Sequence, residues 1–179
     1  MLEKKIVVKE VYEAMINSYD PDKEEFYNIL WKLPVPSETK GLVWRLAHDR
    51  LQTKDNLHKR LILPPGFQVQ CVMRMVWTRC YVWIGDIRVL PANYLMHFWQ
   101  HLGGIDGNKA KLVWGAVWVS IVWSIWKLRN DIIFNNAACN LQSLIDESRY
   151  RAWLWCKTYV KDFNFTLYVW CMDPVNCIS

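Results

Sequence analysis

The chain has 179 residues, 53% of them hydrophobic, and its 22 lysines and arginines against 17 acids give a formal net charge of +5. This hydrophobic fraction excludes a disordered tail, because so much apolar surface collapses rather than staying solvated. The positive charge is compatible with nucleic acid but does not require it, since an ordinary solvated surface gives the same balance. The length suits one domain or one and a half.

The N-terminal residues MLEKKIVVKEVYEAM lack the apolar core that a signal peptide needs. The six cysteines also lack the even spacing of a disulfide framework. Together these observations predict an intracellular protein, cytoplasmic or nuclear, whose thiols are free.

Apolar residues repeat at helical spacing over most of the chain, and Pro34, Pro64 and Gly103 mark places where helices stop. Ser37 is a candidate N-cap, and the C-terminal stretch FNFTLYVWCMDPVNCIS is β-prone at best. The fold class predicted is mainly α: a small irregular helical array, a long Trp-rich helix and a following helix, with little sheet. Helices are expected at residues 10–17, 22–33, 37–51, 54–62, 109–135 and 141–160, and segments 71–84 and 91–102 are also compatible with helix.

The long helix contains an uncharged run, LVWGAVWVSIVWSIW, at residues 112–126. This run is shorter than the ~20 apolar residues that a membrane-spanning helix needs. We therefore predict a buried core helix and no membrane partner.

Catalytic chemistry is not predicted. Two-metal polymerase or nuclease chemistry needs several convergent carboxylates, whereas the acids here, such as Asp22, Glu24, Glu25 and Asp55, fall mainly at helix starts, where the helix dipole explains them. No Gly-rich phosphate loop and no nucleophile elbow occurs in the sequence. The protein is expected not to be an enzyme and to take no small-molecule substrate and no cofactor.

Four residues are candidate metal ligands: Cys71, Cys80, His97 and His101. The two histidines lie four residues apart, on one helix face, but eight residues separate the cysteines where zinc knuckles and fingers use two to four. We predict no metal site, and interpret the histidines as surface residues and the cysteines as buried thiols.

Five basic residues form the candidate nucleic-acid site: Arg45, Arg50, Lys54, Lys59 and Arg60. Lysine and arginine neutralise phosphates, and Trp44 beside them can pack beneath the cluster or stack on a base. The alternative interpretation is that the five residues coat an amphipathic helix and that Trp44 belongs to the core.

Several ordered motifs together resemble one family. VVKEVYEAM and FYNILWKLPVP are followed by VWRLAHDRLQTKDNLHKRLI and, later, by IVWSIWKLRNDIIFNN. Their order and spacing resemble the reverse-transcriptase zinc-binding domain of plant LINE-type, non-LTR retrotransposon polyproteins, over almost the whole chain. The resemblance places polymerase and endonuclease parts upstream of such a segment and an RNase H-like module downstream, outside this sequence.

The resemblance also implies a damaged zinc knuckle. In the family the knuckle begins Cys-x2-Cys, and Cys71 stands where its first ligand belongs. The second would fall at position 74, which is Arg74, and the chain then continues as MVWTRCYVWIG, so that Cys80 resembles a non-ligand position. The implied organisation is an N-terminal helical part at 1–65, a degenerate knuckle remnant and connector at 66–105, and a Trp-rich C-terminal helical region at 106–179.

Two functions are compatible with this sequence. One is a non-catalytic retrotransposon-derived fragment with weak residual binding to RNA or DNA. The other is a co-opted module that docks another protein through its Trp-rich helices, because tryptophan is enriched at interfaces where one edge of the ring stays wet.

Overall fold

The computed structural model describes residues 21–48, 69–85, 88–91 and 93–178. The helices expected at 10–17 and 54–62 lie outside these residues. Helix is the only regular secondary structure within the described ranges, so the mainly α prediction is confirmed. The helices are α1 (Pro21–Lys32), α2 (Ser37–Ala47), α3 (Val69–Trp83), α4 (Tyr94–Leu102), α5 (Asn108–Asn135), α6 (Leu141–Tyr159), α7 (Leu167–Met172) and α8 (Pro174–Ile178).

Two local predictions are wrong. Ser37 is the first residue of α2, and the N-cap is Pro36, without a side-chain cap; Thr39 Oγ1 instead donates to the Pro36 carbonyl at 2.6 Å. The β-prone tail forms α7 and α8. Thr166 caps α7 by accepting a hydrogen bond from the backbone of Val169. Burial of Trp170 against the rest of the molecule outweighs the local β-propensity.

The long helix α5 is the centre of the core. Every residue from 113 to 121 is buried, and α5 contacts α1, α2, α3, α4, α6 and α8. By length and composition this helix is also apolar enough to cross a membrane, and 61% of its most apolar window is buried inside the protein. Over residues 113–121 the helix is buried on all sides, which is the pattern of a core helix.

The turn between α1 and α2 approaches α5 closely. Leu33, Pro34 and Val35 are buried in this turn, and a Cβ added at Gly115 would lie 2.5 Å from Leu33 Cδ2. Glycine at position 115 therefore lets the turn pack directly on the backbone of α5.

The tryptophans are mostly internal. Five are buried, namely Trp77, Trp114, Trp118, Trp155 and Trp170. Six others are half-buried, and Trp31 is exposed, with 53% of its surface accessible. The high tryptophan count is therefore explained chiefly by core packing, and docking of a partner through these rings stays a prediction.

Candidate functional site

Of the five predicted basic residues, the structure describes Arg45. It lies on the exposed side of α2, where its Nε donates to the Gly41 carbonyl at 3.3 Å. Arg50, Lys54, Lys59 and Arg60 lie outside the described residues.

An aromatic layer lies at the same end of α2. Trp44 is half-buried against the core, and its ring centroid is 4.2 Å from that of His48. Tyr27 completes this layer by stacking on the His48 ring, with 5.4 Å between the ring centroids. Trp44 thus contributes to packing, as the core interpretation proposed, while Arg45 beside it faces solvent.

The interpretation of His97 and His101 as surface residues is wrong. Their side chains are 7% and 2% exposed, and they lie between α3, α4 and α5. His97 packs edge-on against Trp77 at 4.2 Å, and His101 stacks on Trp114 at 4.7 Å with only 6° between the planes. The sequence placed both rings on one helix face correctly, but that face is the inner one.

Hydrogen bonds define how the two imidazoles are protonated. Trp118 Nε1 donates to His97 Nδ1 at 3.3 Å, so the His97 proton is on Nε2, which donates to the Tyr81 hydroxyl at 2.9 Å. His101 Nε2 donates to the Trp114 carbonyl at 3.0 Å, and its Nδ1 faces the same Tyr81 hydroxyl at 3.5 Å. Each neutral ring therefore uses both nitrogens within the protein.

Burial also keeps both rings neutral. Desolvation lowers the pKa of His97 to about 4. For His101, desolvation is again the main cause and lowers the pKa to about 3; the Trp114 carbonyl opposes this effect, and nearby His97 and Arg88 add to it. A metal needs the free lone pair of a neutral imidazole, and both lone pairs here are directed at donors.

The cysteines do not complete a zinc site with these histidines. Cys71 and Cys80 belong to one continuous helix, α3, so their backbones are separated by roughly 13 Å along the axis at about 1.5 Å per residue. Cys80 is buried, and desolvation raises the pKa of its thiol to about 12. Within the part of the chain that the structure describes, no group of three or more His, Cys, Asp and Glu side chains could hold a metal.

Two of the acids that the sequence places at helix starts are at a helix start in the structure: Asp22 and Glu24 lie in the first turn of α1, whereas Asp55 lies outside the described residues. Asp131 lies near the end of α5, where its side chain accepts a hydrogen bond from Asn135 at 3.1 Å and its carbonyl accepts the Ala137 amide. These contacts stabilise helix termini.

Residues 7–73 match the family described as zinc-binding in reverse transcriptase. We call this matching stretch, which covers less than half of the chain, the zinc-binding segment. The segment includes α1, α2 and all five predicted basic residues, and it ends within the first residues of α3.

A protein of Arabidopsis thaliana that carries the name of a ribonuclease H protein is 25% identical over 138 residues, covering 66% of this chain and 22% of that protein. The chain therefore spans about a fifth of the length of this relative. No solved structure matches the chain. The zinc-binding segment and this relative together are consistent with a retrotransposon-derived protein.

Proposed function

We propose that the protein is a non-catalytic, retrotransposon-derived fragment of the plant LINE-type, non-LTR class that binds nucleic acid weakly through its reverse-transcriptase zinc-binding segment. The observation that carries this proposal is the match of residues 7–73, because all five basic residues of the candidate site fall inside it. Arg45 supports the proposal, since its guanidinium is exposed beside a half-buried tryptophan.

The state of the knuckle supports weak rather than strong binding. Arg74, at the position of the second ligand, lies in the middle of α3, and this helix continues from Val69 to Trp83. A Cys-x2-Cys knuckle wraps a tight turn around its metal, which a continuous helix does not provide. Any nucleic-acid contact would then not depend on a bound zinc ion.

The test measures binding of the full chain to a short fluorescein-labelled RNA over a salt series. Binding to phosphates should weaken steeply with salt, because counterions are released. The informative variant replaces the five basic residues with glutamine: R45Q, R50Q, K54Q, K59Q and R60Q. The matched control neutralises five exposed basic residues outside the segment: R74Q, R79Q, K111Q, K127Q and K157Q.

The segment variant should lose on the order of tenfold or more in affinity, and the control much less. Equal losses in the two variants would show a diffuse charge effect, and absence of binding by the wild type would refute the proposal. Salt-insensitive capture of a protein partner would instead favour the alternative function, a co-opted module that docks another protein through its Trp-rich helices.

A further inference from the structure

A basic groove runs between four parts of the fold. It has a volume of about 560 Å³ and is lined by the α1–α2 turn, the starts of α2 and α5, and the end of α6. Its lining residues include four lysines, Lys32, Lys40, Lys109 and Lys161, and no aspartate or glutamate. We call this feature the lysine groove; the sequence does not predict it, because its lysines are far apart along the chain.

Helix electrostatics explains only part of this charge. Lys32 is in the last turn of α1, and Lys161 follows the end of α6, where cations offset the negative end of the helix dipole. Lys109, in contrast, is in the first turn of α5, where a cation is unfavourable. That turn contains no acidic residue to compensate for it.

Lys40 is a half-buried residue whose ammonium group lines the groove. Its Nζ donates to the Trp31 carbonyl at 2.8 Å, which holds the side chain in place. Desolvation lowers the pKa of Lys40. An anion in the groove would offset this desolvation cost, because opposite charges nearby favour the charged form.

Two helix N-termini add to the positive field. Ser37, the first residue of α2, and Lys109, the second of α5, both line the groove, and neither helix has a side-chain N-cap. The amides of an N-terminal turn and the helix dipole both favour an anion. Glu38 follows Ser37 in sequence but does not line the groove.

One aromatic side chain lies among these charges. Tyr159, the last residue of α6, lines the groove and is 55% exposed. Basic grooves that hold a single strand combine lysines along the backbone with an aromatic ring on which a base stacks. We propose that the lysine groove binds the phosphates of single-stranded nucleic acid, with a base stacked on Tyr159. This inference rests on the proposed nucleic-acid function and adds a second contact surface, formed partly by α5 and α6 beyond the zinc-binding segment.

The test uses the full chain and a short fluorescein-labelled oligouridylate over a salt series. The groove variant is K32Q/K109Q/K161Q, which leaves Lys40 and its hydrogen bond intact. The control R79Q/K127Q/K157Q removes the same charge from exposed positions outside the groove. Unfolding by urea verifies that both variants are folded.

The groove variant should lose on the order of tenfold in affinity, and the magnitude of its salt slope should fall by about 2, at roughly 0.7 per lost phosphate contact with a single strand. Tyr159→Ala should weaken binding on the order of tenfold, whereas Tyr168→Ala, at a residue 74% exposed outside the groove, should not.

Three outcomes overturn the inference. If the groove and control variants bind equally while the five-residue segment variant is weakened, the proposed function stands and the groove is not its contact surface. If the two tyrosine variants bind with equal affinity, no base stacks on Tyr159 and the ligand assigned to the groove, single-stranded nucleic acid, is wrong. No binding by the wild type would refute the proposed function and this inference together.

Discussion

His97, Tyr81 and His101 form a buried polar network in an otherwise aromatic core. The Tyr81 hydroxyl accepts from one imidazole and faces the acceptor nitrogen of the other, so one phenol serves both rings. Buried polar groups of this kind stabilise a fold only while every donor has an acceptor. Protonation of either ring would add a donor and a charge that the core does not accommodate.

The network predicts a protein that loses stability in mild acid. The pKa values of His97 and His101 in the folded state, about 4 and about 3, lie below the ordinary histidine value of 6.5. As the pH falls below 6.5, the unfolded chain therefore binds protons before the folded protein does. The stability that depends on two neutral imidazoles is fully present above pH 6.5 and is lost as the pH falls towards the folded-state pKa values. Between pH 7.5 and 5.5 the free energy of unfolding should fall by about 1–3 kcal/mol.

Urea unfolding at pH 7.5 and at pH 5.5 measures this change. Both pH values lie above the range where ordinary carboxylates titrate, so that carboxylates contribute little to the difference. His48→Gln is the matched control, since His48 is exposed, and this variant should keep the acid sensitivity of the wild type. A free energy of unfolding that does not change between pH 7.5 and 5.5 would contradict the prediction.

At the scale of single elements, glycine at position 115 allows α5 to touch the α1–α2 turn. Gly41 in α2 provides a matched comparison, because a Cβ there meets nothing within 4 Å. Alanine in place of either helical glycine gains about 0.5–1 kcal/mol of helix propensity. At position 115 the new methyl group must also displace the buried Leu33 side chain, a form of overpacking that costs about 1–3 kcal/mol.

Gly41→Ala should therefore raise the free energy of unfolding by about 0.5–1 kcal/mol. Gly115→Ala should be about 1–3 kcal/mol less stable than Gly41→Ala. Denaturant unfolding of both variants checks the difference. Equal stabilisation by the two substitutions would mean that α5 and the turn are not in close contact.

The continuous helix α3 does not provide the tight turn that a zinc knuckle needs. Purified protein should hold no stoichiometric zinc, because Cys71 and Cys80 are separated along one helix and the histidine lone pairs are occupied. Elemental analysis after removal of loosely bound metal is the measurement. One tightly held zinc per chain that is lost on Cys71→Ser would contradict this prediction.

For the whole molecule, the expected consequence of a damaged knuckle is uneven local stability. A structural metal stabilises only the folded state that assembles its ligands, so residues 66–105 depend on apolar packing. Trp77 and Phe98 are buried there and Trp83 and Trp99 are half-buried, while Phe67, also expected to contribute, lies outside the described residues.

Hydrogen exchange with mass spectrometry should show lower protection over 66–105 than over 109–135, because α3 and α4 are joined through exposed Gly85 and α4 ends at Gly103–Gly104. The buried Tyr81 and Phe98 limit the difference to part of that stretch. Equal protection of the two ranges in a monomer would indicate a maintained core, and a co-opted domain would then be the better account of the protein.

Several of the helices follow from the sequence. Apolar spacing placed α1, α5 and α6 within a residue of their observed ends, since helical periodicity and the stop residues are local properties. The ordered motifs likewise pointed to the family that residues 7–73 match, because a motif is read from neighbouring residues.

Only the tertiary structure decided which surfaces these helices present. A pair of histidines four residues apart marks one helix face, but packing against α3 and α5 made that face internal. The C-terminal tail is helical because Trp170 is buried in the core. The lysine groove exists because the fold brings Lys32, Lys109 and Lys161 together across more than a hundred residues of chain, a proximity produced by long-range packing that local periodicity does not encode.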